Sequence, residues 1–144
     1  MEIKELYREI VNEHNLYPSH KKETEAPDLV LKGVNPSCGD DIVLMLKLDA
    51  EGRIADGSYT GSGCAISQAS ADMMLDLILG KTKEEALKLA DDFMDMVRST
   101  ADPEQIEALE EAAALESVSH MPARVKCATL GWRTLREMFE QKEG

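Results

Sequence analysis

What constrains this chain most is the order of its hydrophobic patterns: strand-like sequence is confined to the stretch before Gly61, and from Cys64 onward the apolar positions recur at helical spacing. Ile42-Val43-Leu44-Met45-Leu46-Lys47-Leu48 is a run of strand formers, Asp49-Ala50-Glu51-Gly52 supplies a turn, and residues Arg53 to Thr60 return as a partner strand, which predicts a β-hairpin. Before the hairpin, Pro18, Pro27, Pro36, Gly33 and Gly39 make residues 16 to 40 read as a long irregular segment with a short strand at Leu29-Val30-Leu31. Loops of that length are usually functional or disordered. Ile3, Leu6, Tyr7, Ile10 and Val11 predict an amphipathic helix ending near Asn15.

Beyond Cys64, Ile66, Ala69, Met73, Met74, Leu77 and Ile78 share one face that stops at Gly80, a natural C-terminal cap. Thr82-Lys83-Glu84-Glu85 is a capping box opening a helix with Ala86, Leu87, Ala90, Phe93, Met94 and Val97 inward. Asp102-Pro103 opens another. Pro122 precedes a last helix with Val125, Ala128, Thr129, Trp132, Leu135 and Phe139 in period. Strands followed by helices give an α+β fold, a small antiparallel sheet with helices packed on it. A length of 144 residues suits one domain over 1–144, with residues 101 to 121, rich in Ala and Glu, as a helical insertion presenting a solvated surface.

Charge narrows the function classes. Sixteen basic against 28 acidic residues leave a net charge of -12, the wrong sign for neutralising phosphates, so nucleic acid and anionic membrane surfaces are poor partners and a basic protein suits the field better. No apolar run approaches the roughly 20 residues of a membrane span, and charges at Glu2, Lys4 and Glu5 break up what a signal peptide needs, so the expectation is a cytoplasmic chain with reduced thiols.

The three cysteines are the candidate chemistry. Cys38 lies in Asn35-Pro36-Ser37-Cys38-Gly39-Asp40, Cys64 in Gly61-Ser62-Gly63-Cys64 at a helix start, and Cys127 near the start of the last helix; no CxxC links them. Gly39 allows a tight turn that brings Cys38 and Asp40 to one point. Cys64 meets the positive end of a helix, and Cys127 has Arg124 and Lys126 as cationic neighbours, so each sulfur has local support for the thiolate. Three thiolates and one carboxylate form a zinc ligand set; the alternative is three cysteines used as core filler.

Asn35 to Asp40, Gly61-Ser62-Gly63-Cys64-Ala65-Ile66-Ser67 and Arg124-Val125-Lys126-Cys127-Ala128-Thr129-Leu130 resemble the three cysteine motifs of the IscU-like iron–sulfur assembly proteins, closest to their SufU branch. The resemblance implies a three-stranded sheet with flanking helices, zinc held by Cys38, Asp40, Cys64 and Cys127, and work alongside a PLP-dependent, SufS-like cysteine desulfurase. Lys126, where classical scaffolds carry histidine, and the excursion at 101 to 121 are typical of SufU-like proteins, which look like zinc-dependent sulfurtransferases.

On that reading the chain is a sulfurtransferase that accepts persulfide sulfur from the desulfurase. Cys38 is the expected nucleophile, because it ends a long loop while Cys64 and Cys127 sit on helices. The resemblance points to the same residue and implies that a desulfurase histidine replaces it on zinc. Arg124 is a possible auxiliary for the nearby negative charge. Rival readings are an iron–sulfur cluster scaffold on the same four residues, and a non-catalytic module braced by zinc. His14, His20 and His120 lack ligand spacing to one another, Met73, Met74, Met94 and Met138 read as core, and Ser67 and Ser70 have no visible base.

Overall fold

A computed structural model describes residues 3–143, with side chains from 5 to 141. The inward placing of Ile3 and the ends of the expected 1–144 domain lie outside the described residues. In chain order the elements are α1 (Ile3–Leu16), β1 (Leu29–Asn35), β2 (Asp40–Leu48), β3 (Ile54–Ser62), α2 (Ala65–Ile78), α3 (Lys83–Val97), α4 (Pro103–Ala108), a 3₁₀ segment (Glu110–Val118) and α5 (Pro122–Glu143). The fold is α+β: one antiparallel sheet in the order β1-β2-β3, packed against helices.

β2 is the middle strand, so Ile42, Leu44 and Leu46 point into the helical layer and are fully buried, each contributing about 1.5–3 kcal/mol from apolar burial. β1 runs through Asn35, longer than the expected three residues. It pairs with β2 from Leu29↔Leu46 to Asn35↔Asp40, and that ladder holds Gly33 extended against its weak local signal. The last pair closes the turn that carries Cys38.

α2 is central, packing on α1 and α5 and reaching β3. It is buried nearly all round, including the polar Ser67, Ser70 and Asp72. Ser70 ties the layers together: its hydroxyl donates to the Ala128 carbonyl of α5 at 2.6 Å and accepts from Trp132 Nε1 at 3.1 Å. Trp132 in turn stacks on Phe93 of α3 with ring centroids 4.5 Å apart. The capping box of Thr82 and Glu85 forms as anticipated, and Asp102 and Gln105 form another at α4.

Two expectations are corrected. On α3, Met96 and Leu89 enter the core while Met94 and Leu87 stay half-buried, because the buried series Ala86, Leu89, Ala90, Phe93, Met96 and Val97 sets the inward face and the other two flank it. Residues 101 to 121 are a solvated helix only in α4, Pro103–Ala108, which buries no residue; the stretch after it is not. Leu109, Ala112, Leu115 and Val118 are all buried, and their strict spacing of three is the period of a 3₁₀ helix. Among the described residues no helix is long and apolar enough to cross a membrane.

Candidate metal centre

The sheet and two helices converge at one end of the molecule, where one ligand atom from each of Cys38, Asp40 and Cys127 lies within 4.8 Å of the others. Cys38 sits in the β1–β2 turn, whose geometry depends on Gly39 at φ 71°, a left-handed conformation that a side chain disfavours. The turn leaves Cys38 exposed. Asp40 is the first residue of β2 and has no exposed surface.

Cys64 is the N-cap of α2, and its sulfur accepts from the Ser67 N–H at 3.4 Å. Its own N–H donates to Asp40 Oδ1 at 2.8 Å, which fastens the start of α2 to β2. The approach requires Gly63: a Cβ there would stand 2.8 Å from Asp40 Oδ1 and 2.6 Å from Ser67 Oγ. Cys64 lines the same open cavity as Cys38 and Cys127, with Tyr7 and Arg124, but its sulfur is not within 4.8 Å of all three other ligand atoms.

Cys127 is the sixth residue of α5, near the start of the helix as anticipated, and is 3% exposed. Its expected electrostatic support from Arg124 and Lys126 fails, because both cations are exposed while the sulfur is buried. Burial pushes the Cys127 thiol far above its ordinary value, and neighbouring Cys38, Cys64 and Asp40 push it the same way. Holding its proton, it donates to Cys38 Sγ at 3.2 Å. That separation is below the edge of about 3.8 Å that a tetrahedron of sulfurs at about 2.3 Å from zinc needs. Opening it takes a shift of about half an ångström, available on the Cys38 turn.

The residues fit a soft divalent cation on grounds of charge as well as donor type. Asp40 is fully buried, yet among the described residues its oxygens meet only neutral donors: the Cys64 N–H, the Asn35 side-chain amide at 3.2 Å and the Cys127 thiol. No lysine, arginine or histidine among the described residues pairs with it. A buried carboxylate without a counter-charge costs several kcal/mol, and a cation shared with the sulfurs removes that penalty.

Two residues escaped sequence reasoning. The Asn35 amide bridges Asp40 Oδ2 and Cys127 Sγ at 3.7 Å, a role visible beforehand only as a side chain that closes the turn opposite Asp40. Tyr7 lines the cavity, and its buried hydroxyl has no hydrogen-bond partner among the described residues. Burial raises its pKa, and the nearby Arg124 charge only partly offsets this.

A model of the family described as the NifU-like N terminal domain matches residues 6–135. A Streptococcus pyogenes protein named iron-sulfur cluster assembly scaffold protein IscU is 42% identical over 96% of this chain and 86% of its own length. The zinc-dependent sulfurtransferase SufU of Bacillus subtilis is 40% identical over 96% of this chain and 92% of its own length. The crystal structure of an iron-sulfur cluster assembly scaffold protein for the SUF system from Fervidobacterium islandicum superposes with a TM-score of 0.82 at 32% identity, covering 93% of this chain and 96% of that one.

Proposed function

The chain belongs to the NifU-like N-terminal domain family, and from that premise we propose that it is a zinc-dependent sulfurtransferase accepting persulfide sulfur from a PLP-dependent cysteine desulfurase for iron–sulfur cluster biogenesis. The observation that carries this reading is the unequal mounting of the cluster. Asp40 and Cys127 are buried and Cys64 caps a helix, whereas Cys38 stands exposed on a glycine turn.

Cys38, Asp40, Cys64 and Cys127 would hold the zinc. Bound there, zinc keeps the sulfurs deprotonated near neutral pH while drawing electron density from them. Cys38 attacks the outer sulfur of the desulfurase persulfide when it is free of any ligand bond. A new S–S bond forms at Cys38, the S–S bond on the desulfurase breaks, and its cysteine departs as a thiolate, so no external oxidant or reductant enters. Exposure gives Cys38 access to the incoming sulfur, and the buried anchors keep the rest of the cluster in place. Arg124, exposed at the rim, would offset the negative charge that arrives with the persulfide. A net charge of -12 favours a basic docking face on the desulfurase.

The name of the Streptococcus relative favours a second reading, a scaffold on which the same four residues hold a nascent cluster. Metal analysis of the purified chain, then incubation with desulfurase and cysteine and mass spectrometry of the Cys38 peptide, separates the two. Zinc plus a sulfur adduct on Cys38, lost in Cys38→Ala, is the result expected of a sulfur acceptor. A coloured cluster without the adduct establishes the scaffold. Zinc with transfer unchanged in Cys38→Ala reduces the metal to a brace.

A further inference from the structure

A second constellation lies away from the cysteines, where α1, the following loop, α2 and the 3₁₀ segment meet. One ligand atom from each of His14, Asp76 and Glu111 falls within 4.8 Å of the others. His14 is only 7% exposed, while Asp76 and Glu111 open to solvent. His20 joins them, its Nε2 2.7 Å from Asp76 Oδ1.

The fully buried Asp72 gives the cluster its direction. Its Oδ2 accepts from His14 Nδ1 at 2.7 Å, and its Oδ1 accepts the backbone N–H of His20 at 2.9 Å. A carboxylate on one imidazole nitrogen fixes the ring and leaves the other nitrogen facing outward, the arrangement that backs a metal-ligating histidine. Here the outward nitrogen, Nε2, stands 3.4 Å from Glu111 Oε1. That is long for a hydrogen bond, and it matches the edge of about 3.4 Å of a tetrahedron whose nitrogen and oxygen ligands lie about 2.0–2.2 Å from zinc.

We propose that His14 Nε2, Asp76 and Glu111 form a second binding site for a divalent transition-metal ion such as zinc or cobalt, with Asp72 behind His14 and His20 behind Asp76 as positioning residues. One imidazole with two carboxylates suits borderline ions, and the absence of sulfur separates this site chemically from the cysteine cluster. Burial works against the charged His14 ring, but Asp72 and then Glu111 outweigh it and raise the pKa above the ordinary value. When filled, the site ties α1 to the 3₁₀ segment, whose Glu110 enters with a left-handed φ of 51° immediately before Glu111.

The test uses the full chain with one equivalent of zinc already bound, titrated with cobalt while the histidine ring nitrogens are followed by NMR. Saturable broadening confined to His14 and His20, with cobalt affinity at least tenfold weaker in the Asp76→Asn/Glu111→Gln double variant, is the expected result. Both substituted side chains are exposed, so the variant should fold, and an unchanged amide spectrum checks that it has. No effect on the His14 ring at millimolar cobalt overturns the site, as does wild-type affinity in the double variant.

Discussion

Asp40 and Asp72 are both aspartates without exposed surface, and each accepts one backbone N–H and one side-chain nitrogen. They differ in what that nitrogen can carry. Asn35 opposite Asp40 is always neutral, whereas His14 opposite Asp72 takes a proton and becomes a counter-ion. The chain therefore balances Asp72 from its own residues, while no described residue brings a counter-charge to Asp40. Two carboxylates of equal burial thus sit in different settings, one joining α1 to α2 and the other beside the sulfurs of Cys38 and Cys127 in a group that could hold a metal ion.

The sharpest way to break this comparison is to remove each aspartate in turn. Asp72→Ala strands His14 and the His20 N–H, and should cost about 4 kcal/mol in urea unfolding whether or not zinc is present. Asp40→Asn keeps an acceptor for the Cys64 N–H and removes the unbalanced charge, so the zinc-free form should be no less stable than wild type. A large loss in zinc-free Asp40→Asn would refute the contrast.

Chelation draws the same line from the ligand side. At a hundredfold excess over its Kd, zinc should stabilise the wild type by about 2.7 kcal/mol, and a chelator should abolish this gain; Asp40→Asn should show little of it at the same zinc concentration. Asn35→Ala acts through Asp40 and Cys127 rather than on the metal, so a loss of roughly tenfold in zinc affinity, about 1.4 kcal/mol, should appear in a competition titration.

The smallest effect is the pH dependence at His14. Its folded pKa lies above the unfolded value of about 6.5, so the pair with Asp72 stabilises fully below about pH 6.5 and loses that contribution as pH rises through the folded value. The stability difference between wild type and His14→Gln should accordingly shrink as pH rises from about 6.5 through the folded value. A difference that grows over this range would contradict the assignment.

How much of this was legible in the sequence depends on distance along the chain. Cys38, Gly39 and Asp40 form one turn, and Cys64 caps its own helix, so local signals were enough to single them out. The surroundings of Cys127 were misjudged because burial, which outweighs Arg124 and Lys126, comes from packing rather than from neighbours in sequence. The His14–Asp72 pair spans 58 positions with no periodic signal, which is why spacing rules passed over both histidines. The three-residue period of Leu109, Ala112, Leu115 and Val118 was present in the letters, but an Ala- and Glu-rich composition resembles a solvated helix until burial shows which face is covered.

Diffraction recorded at the zinc absorption edge, on crystals of protein purified without added metal, bears most directly on the unbalanced charge of Asp40. The account predicts a strong anomalous peak bonded to the carboxylate of Asp40 and the sulfurs of Cys38, Cys64 and Cys127. An Asp40 carboxylate paired instead with a lysine or arginine, and no peak among the three sulfurs, would contradict it.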